Sequence, residues 1–395
     1  MMQPSRTEFI ALMAMLSAAV AFAIDAMLPA LPQIAAELTP DAPNRAQLIV
    51  TSFVLGMGIG TLFTGPMSDA WGRKPVVIGG AVLYCTGALL AWAAPTLELM
   101  LAARLLQGLG AAGPRVVAVA IIRDRHEGTE MARIMSFVML VFSLVPAIAP
   151  SLGAVIIWGA GWRGVFVAFV AFAVILSLWL WLRLPETLAP ARRRALRPGL
   201  LWAAFTEVLA QRIARIAMLL QMLSFGMLFG VLSSTQGVFD ITFGQGDSFP
   251  FWFMGISVLA ASASLINARL VGRIGMRRMV RGMYGAQVML SGVTIVVFWL
   301  GIPLEMAFWV YFIWTVSVFF QAGMTIGNLN ALAMQPLGHI AGMAASVTAA
   351  VATVGGVAIA VPIGQVFDGT PLPIAIGVAM AALVAFLLSL RLGRG

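Results

Sequence analysis

Charge is scarce in this 395-residue sequence: Asp, Glu, Lys and Arg make up 10% of it, against 61% hydrophobic residues. So little polar material cannot coat a water-soluble domain of this size. So much apolar surface cannot be buried around one core either, and the excess has to face lipid. Cysteine is nearly absent. The single Cys85 lies within an apolar stretch, which excludes an intrachain disulfide and leaves a small packing residue. With two histidines and one cysteine, the sequence offers no His and Cys set at metal-ligand spacing, no glycine-rich phosphate loop and no nucleophile beside a base. These absences argue against a metalloenzyme, an ATP-driven pump and a hydrolase, and no cofactor or metal is expected.

A bilayer core needs about 20 apolar residues per helical crossing. Apolar runs fall at roughly 9–35, 46–68, 75–94, 97–122, 131–157, 163–183, 213–239, 250–272, 280–300, 304–330, 341–366 and 372–390, which predicts twelve spans. The first run leads into Leu28-Pro29-Ala30-Leu31-Pro32 and a second span without a convincing cleavage site, so it reads as a retained helix. The longest polar interruption, Pro185 to Arg212, carries Arg192, Arg193, Arg194 and Arg197. The sequence therefore predicts an all-α membrane protein of two pseudo-symmetric six-helix bundles, residues 1–184 and 213–395, joined by a cytoplasmic linker at 185–212.

The net charge of +9 does not point to nucleic acid, because the basic residues sit in loops between apolar runs. Counted by alternate loops, twenty of the 24 fall on one side: Arg6, Arg73, Lys74, Arg123, Arg125, Arg133, Arg183, the four central arginines, Arg212, Arg215, Arg269, Arg273, Arg277, Arg278, Arg281, Arg391 and Arg394. The other side has Arg45 and Arg163. By the positive-inside rule both termini and the central loop are cytoplasmic. The halves also echo each other, Trp71-Gly72-Arg73-Lys74 being matched by Ile274-Gly275-Met276-Arg277 after an offset of 203 residues. Six plus six spans around a basic middle loop is the layout of a two-bundle transporter with its substrate near the midplane.

Gly65-Pro66-Met67-Ser68-Asp69-Ala70-Trp71-Gly72-Arg73-Lys74-Pro75 occupies the first short cytoplasmic loop, where glycines permit a sharp reversal. Asp69 beside Arg73 and Lys74 forms a charge cluster able to pair in one conformation and part in another. This stretch resembles the signature loop of the major facilitator superfamily. Leu101-Ala102-Ala103-Arg104-Leu105-Leu106-Gln107-Gly108-Leu109-Gly110-Ala111-Ala112 is similar to the fourth-helix motif of the proton-driven drug antiporters, and Asp25-Ala26-Met27-Leu28-Pro29-Ala30-Leu31-Pro32 resembles their first-helix motif. Val145-Pro146-Ala147-Ile148-Ala149-Pro150-Ser151-Leu152-Gly153-Ala154 resembles the fifth-helix antiporter motif, with Ala149 and Ala154 where glycine is common in the family. With Ile122-Arg123-Asp124 and Gly338-His339-Ile340-Ala341-Gly342, the set looks most like the Bcr/CflA branch of drug efflux proteins and covers essentially the whole chain. The resemblance implies an antiporter of the bacterial inner membrane. It also implies a cytoplasmic gate of Gly65, Asp69, Gly72, Arg73, Lys74, Arg123 and Asp124, and antiporter-motif positions Pro146, Pro150 and Gly153.

Arg104 carries the sharpest physical argument, because a guanidinium stays charged and is costly in hydrocarbon unless it faces water or a partner. It lies six residues after Glu98, about 9 Å into its helix, while Asp25 lies seventeen residues after Glu8 on an oppositely directed helix, about 26 Å from the cytoplasmic end. Both fall in the outer half of the bilayer. A carboxyl there is suited to carry protons, with the cation tuning it. The bland reading makes Asp25 a helix-end residue near Pro29 and Arg104 a donor to neighbouring carbonyls. Arg115, next to Pro114, either lines a cavity or caps carbonyls freed by the proline. Gln107, Gln221, Gln236, Asn267, Gln321 and Asn328 are polar positions on apolar helices, either lining a substrate path or acting as interhelical glue. His339 reads as a loop residue. Trp158, Trp162, Trp179 and Trp181 are expected in interfacial belts.

The expected function is proton-coupled efflux of small drug-like or metabolite molecules by a monomer in the lipid bilayer, with protons and a small molecule as its partners and no nucleic acid. The alternatives are a metabolite symporter or facilitator and, in another class, a non-transporting receptor or membrane-embedded enzyme.

Overall fold

The computed structural model describes residues 4–193 and 198–393; Arg194 and Arg197 of the central cluster and Arg394 lie outside these. The described residues form thirteen α-helices with short 3-10 and π turns and no strand. They are α1 (Arg6–Asp25), α2 (Leu31–Leu38), α3 (Leu48–Trp71), α4 (Arg73–Trp92), α5 (Leu97–Arg125), α6 (Gly128–Arg183), α7 (Pro198–Ala210), α8 (Arg212–Gly237), α9 (Phe249–Ile274), α10 (Met276–Trp299), α11 (Leu304–Met334), α12 (Ala341–Gln365) and α13 (Leu372–Ser389). In lipid every backbone N–H and C=O must be satisfied within the segment, which is why an apolar chain of this kind becomes helix throughout.

Among the described residues ten runs are long and apolar enough to cross a membrane. Two of them, Gly128–Arg183 with 56 residues and Leu304–Gln365 with 62, are about twice the length of one crossing. Each is broken midway: the first at Gly161, with φ 65° and ψ 178°, and the second by the 3-10 turn Gln335–Ile340. Ten runs with two counted double make twelve crossings, in agreement with the sequence map. Burial separates two kinds of span. In the first and seventh crossings 72% of the apolar window is buried, whereas in α9 and α10 it is 28% and 22%, which leaves those two to meet lipid.

The chain forms two compact units, Met1–Pro40 with Ser52–Leu201, and Asp41–Thr51 with Trp202–Gly395. In the first unit α1 packs on α6 and α5, and α4 lies along α5. Missing side chains make the α5 contacts possible. A Cβ on Gly108 would collide with the Phe53 carbonyl oxygen, one on Gly56 with the Leu105 carbonyl, and one on Gly110 with the backbone of Tyr84 and Gly80. In the second unit α8 is the hub, packed by α11, α12 and α13. There Asn44 donates its amide to the carbonyls of Phe367 (2.5 Å) and Gln365 (3.3 Å), the Gln365 amide donates to the Asn44 carbonyl (2.8 Å), and Ser234 donates to Gln47 Oε1 (3.0 Å).

Two details differ from the sequence reading. The 185–212 stretch, read as a polar linker, contains the thirteen-residue helix α7, in which Trp202 stacks on Phe205 at 5.5 Å and Glu207 lies 2.7 Å from His339 Nε2. Its apolar run is short and flanked by arginines, so hydropathy alone merges it with the charged loop. Trp162, expected in an interfacial belt, is buried within the protein, its indole N–H donating to Glu37 Oε2 at 2.7 Å, whereas Trp158 is 91% exposed.

Candidate functional site

Two clusters of charge lie within the first unit. The deeper one surrounds the end of α1. There the helix gives way to the 3-10 turn Leu28–Ala30, because Pro29 and Pro32 withdraw two backbone donors. Asp25, the last residue of α1, is 5% exposed, and its carboxyl has no hydrogen bond or ion pair among the described residues. Gly153 of α6 presses on the turn just beyond it, since a Cβ there would collide with the Ala26 carbonyl oxygen.

Arg104 of α5 is completely buried. Its Nη1 donates to Gln107 Oε1 at 2.7 Å and its Nη2 to the carbonyl oxygen of Ala23, two residues before Asp25, at 3.0 Å. The guanidinium lies over the Phe53 ring at 4.4 Å from the centroid and near Phe166 at 6.0 Å. The structure thus brings the cation to the backbone of the aspartate's helix without closing an ion pair. A carboxyl buried without a partner is stable only when neutral or when water reaches it, because desolvating an unpaired charge costs several kcal/mol. The arrangement is therefore chemically suited to take up and release a proton.

The second cluster lies at the other ends of these helices. Gly72, at φ 106°, joins α3 to α4 in one residue, a conformation that requires glycine. Arg73 is 8% exposed, donating Nη1 to Ser68 Oγ (2.7 Å) and Asp69 Oδ1 (2.5 Å) and Nε to Asp124 Oδ2 (2.8 Å). Lys74 donates its ammonium to the Trp181 carbonyl at 2.7 Å. Ser68 in turn donates to the Gly65 carbonyl at 2.8 Å. Arg123 stands apart and exposed; one residue before Asp124, it is rotated by about 100° on the helix and faces away.

Glu186 is the member that sequence reasoning missed. Its carboxylate accepts the backbone N–H groups of Arg73 (3.0 Å), Lys74 (3.0 Å) and Leu188 (2.9 Å), capping the N-terminus of α4. Next to it Thr187 donates to Asp124 Oδ2 at 3.1 Å. The run Pro185-Glu186-Thr187 directly after the sixth span was the available signal.

Among the other polar positions, Arg115 is exposed, with Nη1 3.7 Å from the Met57 sulfur and its guanidinium 5.9 Å from the Phe142 ring. Pro146 and Pro150 lie inside α6, Pro150 buried. In the second unit Gln221 and Gln236 are buried. There Gln321 donates to Thr325 Oγ1 (2.9 Å) and Ser224 Oγ (3.3 Å), Tyr284 shares a 2.7 Å hydrogen bond with Ser224, and Asn328 donates to Asn267 Oδ1 (2.7 Å). These bonds tie α11 to α8 and α9, and α10 to α8.

Residues 11–362 match the sequence profile of the Major Facilitator Superfamily. The chain belongs to that superfamily. Among its relatives, a bicyclomycin resistance protein homolog of Haemophilus influenzae is 30% identical over 308 residues, 78% of this chain and 76% of its own. The multidrug resistance protein MdtL of Salmonella schwarzengrund is 38% identical over 171 residues, 43% of this chain and 42% of its own. Among solved structures, a D-xylose–proton symporter superposes with a TM-score of 0.78 at 14% identity, with 98% of each chain covered. That likeness concerns the fold of this superfamily member alone. The protein is a multi-pass membrane protein.

Proposed function

We propose that this superfamily member exports small drug-like or metabolite molecules across the bacterial inner membrane in exchange for protons, by alternating access. The halves 1–184 and 213–395 act as the moving bodies, the protein works as a monomer, and both termini are cytoplasmic. The observation that carries the reading is the Asp25 carboxyl, buried without a partner while Arg104 holds the backbone two residues away. Protonated, the carboxyl is neutral and tolerates burial; ionised, it requires water or the guanidinium. Loading and unloading of one proton thus favours different environments around the end of α1, and a transport cycle needs that coupling. Asp69, Arg73 and Asp124, held by Glu186 and Thr187, form the cytoplasmic gate. Family likeness to a bicyclomycin resistance protein homolog and to MdtL supports efflux as the direction.

The test is Asp25→Asn in proteoliposomes, with an efflux-deficient host screened against dyes and antibiotics to supply the substrate. Transport driven by an imposed pH gradient is expected to be abolished while the protein still folds and exchanges substrate downhill. Undiminished coupled transport removes Asp25 from the mechanism. Import of a metabolite is the second reading, favoured by Ala149 and Ala154 in the antiporter motif; flux directed with the imposed proton gradient, not against it, would establish it.

A further inference from the structure

One end of the second unit carries a hollow that the transport reading does not use. Where α8 ends, Val238–Thr242 wind as a π turn and the loop through Ser248 leads into α9, close to the start of α11. A cavity of about 390 Å³ opens here, lined by Phe243, Trp252, Phe308 and Trp309 together with Glu305 and Gln245. Its size is in the range of small-molecule sites.

The rings meet nearly at right angles. Trp252 and Phe308 have centroids 4.8 Å apart at 69°, Phe308 and Trp309 5.5 Å apart at 83°, Trp252 and Trp309 5.8 Å apart at 85°, and Phe243 and Phe308 5.3 Å apart at 89°. Rings packed edge to face hold one another in place, and the parts of Trp252, Phe308 and Trp309 left open to the cavity carry the negative lobe of the aromatic quadrupole, which attracts a cation within about 6 Å. Interfacial tryptophans that merely anchor a helix need no such mutual arrangement. One wall is also fixed in place: the Trp252 indole N–H donates to Ser248 Oγ at 3.1 Å, and Ser248 donates to Gln245 Oε1 at 2.6 Å.

The charge around the hollow has one sign. Glu305 is exposed and has no ion pair or hydrogen bond to its carboxylate among the described residues. The segments Val238–Ser248 and Leu300–Glu305 contain Asp240, Asp247 and Glu305 and no Lys or Arg. By the order of crossings this end of the unit is opposite the one bearing Arg269, Arg273, Arg277, Arg278 and Arg281.

We propose that this hollow binds organic ammonium cations, with the alkylated ammonium group against the open sides of Trp252, Phe308 and Trp309 and Glu305 supplying the opposing charge. The site is separate from Asp25 and needs no transport cycle, so it stands or falls independently of the efflux reading. Two sources carry this chemistry, a soluble quaternary amine and the headgroup of a choline lipid.

The experiment is an equilibrium titration of the purified full-length protein in dodecyl maltoside micelles, read by tryptophan fluorescence. Choline chloride is the probe and 3,3-dimethyl-1-butanol, the same shape without the charge, is the control. Saturable choline binding is expected, with the alcohol at least tenfold weaker. Glu305→Gln and Trp309→Ala each weaken choline at least tenfold, whereas Trp309→Phe, which keeps a ring in the wall, stays within about threefold. Both altered side chains are exposed, so elution as a single monodisperse species serves as the folding control. Equal binding of the alcohol, or wild-type affinity in both Glu305→Gln and Trp309→Ala, overturns the proposal. In micelles doped with phosphatidylcholine, weaker choline binding assigns the site to the lipid headgroup and unchanged binding to a soluble amine; either result upholds an ammonium site.

Discussion

The signature loop after the second span and its echo after the eighth have the same backbone and opposite chemistry. Gly72 ends α3 at φ 106° and ψ 160°; Gly275 ends α9 at φ 84° and ψ 146°, and each leads straight into the next helix. Around Gly72 the chain places Asp69, Arg73, Asp124 and Glu186 in one network. At the same offset of 203 residues the second half has Gly272, Met276, Gly327 and Ser389. Each of these four has been replaced by a neutral residue while the turn is retained, and only the cation at Lys74 persists, as Arg277. The turn therefore belongs to the architecture of both halves, since two antiparallel spans joined in one residue need a glycine with positive φ. The acid–arginine network belongs to the first half alone, since the second loop keeps only basic residues such as Arg273, Arg277 and Arg278, and a network that folding does not require in the second half has a separate use in the first.

Making the first loop resemble its echo should break this asymmetry, and Arg73→Met should do so most severely. Among the described residues it removes the cation paired with Asp69 and Asp124, leaving a mostly buried carboxylate hydrogen-bonded to Thr187. Loss of one member of such a pair costs about 3 kcal/mol of stability, so a clearly lower thermal unfolding midpoint in micelles is expected, together with a loss of substrate flux in proteoliposomes of about tenfold or more. Glu186→Gln is expected to act more mildly. The amide can still accept one N–H at the start of α4 but loses the charge that favours that helix end, a change of about 1 kcal/mol; a midpoint lowered by a few degrees would register it. The smallest effect is expected from the reverse change, Gly272→Asp, which adds a carboxylate to the exposed last turn of α9 with open space around it. Flux should stay within about twofold of wild type, because exposed substitutions away from special contacts alter stability by about 0.5 kcal/mol or less. A severe loss of transport in that variant would mean that the second loop also works by charge.

The span map was legible because hydropathy in a membrane protein reports a single constraint, the thickness of the hydrocarbon. Even the break in α6 fell between the predicted runs 131–157 and 163–183, where Gly161 sits. Burial of Asp25 and Arg104 was legible for a related reason: a charge inside a long apolar run must face the protein interior or water. The bonds that Arg104 makes were not legible, since the Ala23 carbonyl comes from another helix and carries no side-chain signature. Glu186 escaped for the same reason, its partners Arg73 and Lys74 lying 113 and 112 residues earlier in the chain. Helix α7 was masked by its arginine-rich flank, and Trp162 by a rule that places tryptophans at interfaces without knowing that Glu37 would meet its N–H.

The single-residue reversal at Gly161 has a mechanical consequence. Before it, Gly153 rests on the carbonyl of Ala26; after it, Trp162 and Arg163 grip Glu37, the arginine at 2.7 Å. The fifth and sixth crossings thus clamp the Asp25-to-Glu37 segment at two points on either side of a hinge with no slack. Any rearrangement that frees the aspartate must slide that segment along both crossings or tilt the pair as one rigid fork.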